Sequence, residues 1–256
     1  MEVRLKPERA IVPIVRYTPD RIISQILGTG FFVGLGHPDA ASLVTAKHVI
    51  ADSPLASTEK YAIVLPDERG IAIIAISQIR VAADFDVAVC TIEQSLLKSA
   101  VRLALASADP ALNDDVFSYE YSSTRIEKTA TGYHVSLEPY AHKGNIVRSY
   151  FSTYPEKIKT PCLLTSYPAL QGASGAPVIA SMSRPSGKQF AVVGMLVANS
   201  ERHLLPAQVV RIEDGSSYTE TTSYFLPYGK AVSWSVIAQC LNGMNVPFEH
   251  VSDDVA

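Results

Sequence analysis

Gln171-Gly172-Ala173-Ser174-Gly175-Ala176-Pro177-Val178 is the stretch of this 256-residue chain on which the reading of the fold turns. A serine stands between two glycines, and a proline leads into the apolar run Val178-Ile179-Ala180. Small residues crowd around one hydroxyl, so the backbone can turn tightly and leave that hydroxyl open to a ligand. Gly172 can take a positive φ and aim backbone N–H groups at one spot beside Ser174. Paired donors of that kind stabilise the charge that develops in acyl transfer. Read alone, the same residues also fit a surface turn between two strands.

Working outward, the chain is punctuated by Gly and Pro into many short, β-branched segments. Before the serine stretch these are residues 10–17, 22–27, 31–34, 41–46, 61–65, 71–81 and 87–92, then 116–121, 132–138, 144–150 and 163–166. After it come 178–181, 190–197 and 224–227, while residues 93–105 read as a connection between two halves. Residues 199–222 are polar and weakly patterned, which reads as a long loop. A helical period appears only near the end, at Val232, Val236, Ile237, Cys240 and Leu241, with Asn242-Gly243 as its C-terminal stop. Short strands with Gly/Pro turns and helix confined to the end predict an all-β fold of barrels or a sandwich.

Composition narrows the function. Hydrophobic residues make up 47% and charged residues 18%, which excludes disorder and fits a well-buried globular protein. A formal charge of −3 gives no basic footprint for nucleic acid or anionic lipid. Tyr119, Tyr121, Tyr133 and Tyr140 alternate with polar residues, as strand faces do, rather than forming a base-stacking platform. Cys90, Cys162 and Cys240 lie far apart and are odd in number, which suits a reducing compartment rather than a disulfide framework. The apolar run near the N-terminus is short and broken by Pro13, so it lacks the core of a secretory signal, and no apolar stretch is long enough for a membrane span. The chain therefore reads as cytoplasmic. His134, His142, His203 and His250 have no metal-ligand spacing, so the expectation is no metal and no cofactor.

A serine hydroxyl is a weak nucleophile and needs a base within hydrogen-bond reach, oriented in turn by an acid. His37 lies in the turn Gly-His-Pro-Asp, where an exposed imidazole is the plain reading. His48 follows the strand Ser42-Leu43-Val44-Thr45-Ala46, where a side chain can reach a cleft; by itself it is also a structural histidine at a strand end. Of two carboxylates in Ala83-Asp84-Phe85-Asp86-Val87, Asp86 opens an apolar strand and would be partly buried. Burial of an acid costs free energy unless it is hydrogen-bonded, and a histidine N–H would supply that bond. Asp84 reads as solvated or as capping a turn.

Gly28-Thr29-Gly30-Phe31, Thr45-Ala46-Lys47-His48-Val49, Asp86-Val87-Ala88-Val89 and Gly172-Ala173-Ser174-Gly175-Ala176-Pro177 together resemble the trypsin-like serine peptidases, of the disulfide-poor, HtrA-like bacterial and viral type. The order His, Asp, Ser matches that family. The resemblance implies two packed six-stranded antiparallel β-barrels with a C-terminal helix. Residues 1–97 would carry His48 and Asp86, and residues 98–256 would carry Ser174. It implies Ser174 as nucleophile, His48 as general base, Asp86 as its orienting acid, and the N–H groups of Gly172 and Ser174 as the oxyanion hole. The reaction would be endopeptidase hydrolysis of a polypeptide substrate. Two departures stand out. Animal digestive relatives carry an aspartate just before the serine, which pairs with a freed N-terminus; Ala173 cannot, so the site should assemble unaided or be gated by loops or a partner. No PDZ-like segment follows Leu241. By resemblance, Leu196 and Val197, with Pro168 near the base, would line an apolar substrate pocket, although Leu196 also fits plain core.

The order of the residues and the absence of glycine two places after Ser174 argue against an α/β-hydrolase. The rival is a trypsin-like barrel turned into a silent or partner-gated binding module. The polar stretches 122–132 and 199–222 would govern access to the cleft or meet a regulatory protein partner.

Overall fold

The computed structural model describes residues 6–20, 22–34, 40–67, 70–93, 95, 97, 101–122, 124–129, 132–153, 158–184, 187–203, 207–213, 216–222 and 225–251. His37 lies outside them. The first half forms β1 (Ile11–Tyr17), β2 (Ile23–Val33), β3 (Ala40–Thr45), the short helix α1 (Lys47–Ala51), β4 (Lys60–Asp67), β5 (Gly70–Ala75), β6 (Gln78–Val81) and β7 (Ala88–Glu93). These seven strands make one antiparallel sheet in the order β5-β4-β1-β2-β3-β7-β6. Its two edge strands are consecutive in the chain. β5 pairs with β4, the backbone turns a corner at Ile76-Ser77, and β6 pairs with β7. The corner itself is stitched to both sides, Ile76 N–H to the Tyr61 carbonyl at 3.0 Å and Ser77 N–H to the Thr91 carbonyl at 2.9 Å. The stretch read from sequence as one strand, 71–81, is thus one strand bent in two, and the bend curls the sheet upon itself.

The second half forms β8 (Ala104–Ala106), β9 (Asp115–Glu120), β10 (Arg125–Thr129), β11 (Gly132–Ser136), β12 (Tyr140–Ser152), β13 (Thr160–Thr165), β14 (Pro177–Arg184), β15 (Gly187–His203), β16 (Ala207–Glu213), β17 (Ser216–Thr222), β18 (Phe225–Ser233), helix α2 (Trp234–Gly243) and β19 (His250–Val251). Six of these strands close a ring, β14-β9-β12-β13-β18-β15 and back to β14, so no edge is left open around it. The all-β fold with a C-terminal helix is the one that the resemblance implied, with one difference: the second half closes into a six-stranded barrel, whereas the first is a curled, seven-stranded half-barrel whose edges β5 and β6 do not pair with each other among the described residues.

Residues 199–222 are not the loop their polarity suggested. β15 runs on to His203, and β16 pairs with β17 in register from Ala207↔Thr222 to Glu213↔Ser216. The reason is legible afterwards: Val209-Val210-Arg211-Ile212 and Tyr218-Thr219-Glu220-Thr221 are rich in β-formers, and the intervening sequence is Asp-Gly, a strong hairpin signal. Part of 122–132 is likewise strand, β10 against β11. The helical period begins later than expected, because Ala231, Val232 and Ser233 end β18; Ser233 then caps α2 by accepting from Ser235 N–H. The helix runs through Gly243, and the left-handed residue beyond it is Asn245 at φ +54°.

One core cluster joins the two halves. Phe31, Phe32, Leu43 and Val89 of the first sheet meet Ile179, Met195, Val236, Ile237 and Leu241 from β14, β15 and α2. A second fills the closed barrel around Ile146, Leu163, Val178, Val193 and Leu196. Phe31 is fully buried in the first of these clusters. Phe31→Ala should cost about 3–5 kcal/mol, read by chemical denaturation; a cost under about 1 kcal/mol would contradict this packing.

Candidate functional site

β3 ends at Thr45, and after Ala46 the chain turns into α1, which carries His48 near its start. β2 does not stop with it. Its pairing with β3 covers only Phe31, Phe32 and Val33, so Thr29 lies past the end of β3. On the other side Thr29 faces Pro13, which has no N–H to give. The vacated place beside Thr29 is taken by the serine turn. Thr29 N–H donates to the Ser174 carbonyl at 2.9 Å, and Thr29 Oγ1 donates to the Gly172 carbonyl at 2.8 Å. Thr45 Oγ1 donates to the Thr29 carbonyl at 2.7 Å and completes the joint.

The approach is close enough to require glycine. Gly175 has φ +88°, and a Cβ there would overlap the Thr29 carbonyl oxygen and Thr45 Oγ1. Gly172 has φ +95° and packs on Ser122, whose Cα lies 3.1 Å from where a Cβ would stand. Within the turn, Ala173 N–H donates to the Leu170 carbonyl at 2.9 Å, Gly175 N–H to Leu196 at 2.8 Å and Ala176 N–H to Ala173 at 2.8 Å. The N–H groups of Gly172 and Ser174 take part in no hydrogen bond among the described residues. These are the two donors that the sequence singled out.

His48 and Asp86 meet directly. Asp86 Oδ2 lies 2.7 Å from His48 Nδ1, and Oδ1 accepts the His48 backbone N–H at 2.9 Å. Asp86 is 4% exposed, and each of its carboxylate oxygens is engaged, as a buried acid requires. Its turn is pinned from outside. Lys47 Nζ donates to the carbonyls of Ala82 and Ala83 at 2.9 and 3.2 Å, and Ala82 N–H closes on the Val87 carbonyl at 2.9 Å. Asp84, by contrast, is exposed. A carboxylate can only accept, so this contact calls for a proton on Nδ1, which in the neutral ring leaves the lone pair on Nε2. Burial pulls the His48 pKa down, but the hydrogen bond and charge of Asp86, with Asp52 adding to them, hold it above its ordinary 6.5. The imidazole is 33% exposed, which leaves it within reach of a substrate.

His48 stands two residues past Ala46, and Ala46 N–H lies against Gly175, the residue after Ser174. The fold therefore brings the three candidates to one place. No hydrogen bond joins Ser174 Oγ to His48 among the described residues; catalytic hydrogen bonds are often long before a substrate tightens them.

Leu196 and Val197 are both buried, in two different core clusters. Val197 is the extra residue of a bulge, since Leu196 pairs with Ala231 and Ala198 with Lys230. Pro168 is half-buried between anchored neighbours. The Tyr167 carbonyl accepts Gly229 N–H at 2.7 Å, and Ala169 exchanges two 2.7 Å bonds with the Asn199 side chain. Behind Tyr167 the barrel buries an acid from β9. Glu120 is fully buried, 3.0 Å from His142 Nε2 and 2.8 Å from Ser122 Oγ. The His142 ring stacks on Tyr167 at 5.3 Å. Burial raises the Glu120 pKa, against the Ser122 and His142 hydrogen bonds that lower it. Sequence reading passed over Thr29 and this Glu120–His142 pair. Glu120 shares the buried face of β9 with Val116 and Ser118, a face whose pattern is too weakly apolar to single the glutamate out.

A model of the trypsin-like peptidase domain matches residues 28–195. No curated protein sequence matches the chain. Among solved structures, the active form of the Rv3671c protease from M. tuberculosis superposes with TM-score 0.57 at 17% identity, over 95% of this chain and 84% of that one. The apo protease domain of MamO from Magnetospirillum magneticum gives 0.54 at 13% identity, over 92% and 97%. Neuropsin, a serine protease of mouse brain, gives 0.52 at 12% identity, over 94% and 97%. At these identities the structural likeness speaks for the fold, and the domain match spans well over half the chain, so this chain belongs to the trypsin-like peptidase family.

Proposed function

We propose that the protein is a serine endopeptidase working through Ser174, His48 and Asp86. The observation that carries this is the grip of Asp86 on His48, Nδ1 at 2.7 Å, beside a serine turn with two unengaged N–H groups. Ser174 Oγ attacks the peptide carbonyl while His48 Nε2 takes its proton. Asp86 keeps Nδ1 protonated and stabilises the imidazolium that forms. The N–H groups of Gly172 and Ser174 hold the oxyanion. His48 then returns the proton to the leaving amine, and water releases the acyl group by the same steps. The chemistry draws on no cofactor.

The side chain preceding the scissile bond would enter between the segment at Pro168 and β15 at Leu196 and Val197. Both of those side chains are buried, so β15 would contribute mainly backbone there, with the Glu120–His142 pair deeper in the barrel. Three buried cysteine thiols support a reducing, cytoplasmic setting. No helix among the described residues is long and apolar enough to cross a membrane.

A fluorophosphonate probe should form an adduct on Ser174, located by mass spectrometry, and Ser174→Ala should abolish it. A folded protein that takes no adduct would count for the silent or partner-gated module instead. Asp86→Asn should lower turnover roughly 10⁴-fold while the fold persists; a change under about tenfold would remove Asp86 from the mechanism.

Because the base must be neutral, kcat/KM should rise with pH through the His48 pKa, above 6.5. The same shift makes the charged pair stabilising below 6.5, a contribution lost as pH climbs through the raised value. A His48 NMR titration should place the midpoint above 6.5 in the wild type. In Asp86→Asn only burial and the weaker Asp52 charge would remain, and the midpoint should fall below 6.5. An unchanged midpoint in that variant would be the contrary result.

A further inference from the structure

We propose that Thr29, contributed by the first sheet, is the positioning residue that sets the oxyanion turn, doing through hydrogen bonds what a charged residue at 173 cannot do here. The inference rests on the peptidase reading of Ser174. Its ground is the hydrogen-bond accounting of the turn. A peptide unit carries its C=O and N–H on opposite sides, so fixing both ends fixes the plane. The unit joining Gly172 and Ala173 is held at its carbonyl by Thr29 Oγ1, 2.8 Å, and at its N–H by the Leu170 carbonyl, 2.9 Å. The unit joining Ser174 and Gly175 is held at its carbonyl by Thr29 N–H, 2.9 Å, and at its N–H by the Leu196 carbonyl, 2.8 Å. Between them, the Ala173 carbonyl accepts Ala176 N–H at 2.8 Å. What remains undonated in the turn is the N–H of Ser174 and that of Gly172. Thr29 therefore touches both peptide planes that flank the nucleophile.

Thr29 also fixes the wall behind the turn. Its Oγ1 accepts the Tyr121 N–H at 3.2 Å, and Gly172 packs on Tyr121 and Ser122. One hydroxyl thus donates to the turn and accepts from Tyr121, the residue that follows β9. Thr29 itself is fully buried and its carbonyl is held by Thr45, so it is a rigid anchor. Ala173 is fully buried and brings no charge. Glycine at 172 gives the turn little stiffness of its own. Without the hydroxyl, the Gly172 carbonyl and the Tyr121 N–H both lose a partner, the turn relaxes, and the two donors are misaimed.

The test compares Thr29→Val, Thr29→Ala and Thr29→Ser in the full chain, with thermal unfolding of each. On a peptide ester, Val and Ala should lower kcat about 10²-fold, the scale of one lost oxyanion donor, with KM within about twofold. Ser, which restores only the oxygen missing from Ala, should return kcat to within about threefold of wild type. The Ala and Ser pair keeps the comparison sound if Val does not fold. Crystal structures of the Ala and Ser variants supply a readout independent of activity: the Gly172 carbonyl should turn from its wild-type direction in Ala and keep it in Ser. Wild-type protein that neither hydrolyses the ester nor labels at Ser174 would sink the peptidase reading alone, and the crystal structures would then decide on Thr29. Either of two results overturns the proposal: kcat in Thr29→Ala equal to that in Thr29→Ser, or an unmoved Gly172 carbonyl in Thr29→Ala.

Discussion

The hydrogen bond from Thr29 N–H to the Ser174 carbonyl, at 2.9 Å, is the contact on which the site depends. It exists because two strands of one sheet end at different places. β3 stops at Thr45 to launch the helix bearing His48, while β2 extends past that point with no β3 partner for its backbone groups. Unpaired backbone groups in a buried position must be satisfied. The serine turn from the other barrel satisfies them, and in doing so arrives beside the histidine. The gap left by the end of β3 is thus the socket for the serine turn.

The acid is positioned by the same economy. Asp86 is buried at the opening of β7, where an unpartnered carboxylate would be costly. Both of its oxygens bond to His48, one through the ring and one through the backbone N–H. The double grip fixes the ring and its tautomer together. Lys47, next in the chain to the histidine, ties down the turn that carries the acid, so two adjacent residues hold Asp86 from opposite sides. A loop that places a charge this closely has little freedom; it joins β6 to β7, and the other end of β6 is anchored to β4 and β7 through the corner at Ile76-Ser77.

The parts of the molecule legible in the sequence are those where chemistry demands a residue type at a fixed place. Gly175 must be glycine because any Cβ would overlap Thr29, and the small-residue run around Ser174 advertises that constraint. His48 and Asp86 announce themselves as polar residues at the ends of apolar strands. The strands were visible through their β-branched runs, and the helix through its period. Residues 199–222 were misread because both faces of β16 and β17 carry polar side chains, which hides a strand from any argument based on alternation. Thr29 carries no sign of its role in the sequence, since its partners lie 92 and 143 residues away. Glu120 escaped notice for a related reason: its partner His142 is brought to it only by the pairing of β9 with β12. A buried hydrogen-bonded pair assembled by register has no local signature.

The most direct test of the central claim is a crystal structure of the protein with a peptidyl boronic acid. The account predicts a bond from boron to Ser174 Oγ, one boronate oxygen accepting the N–H groups of Gly172 and Ser174, and His48 Nε2 within hydrogen-bond distance of Oγ or of a second boronate oxygen. A boronate held elsewhere, or bound to Ser174 with its oxygens turned away from both N–H groups, would contradict it.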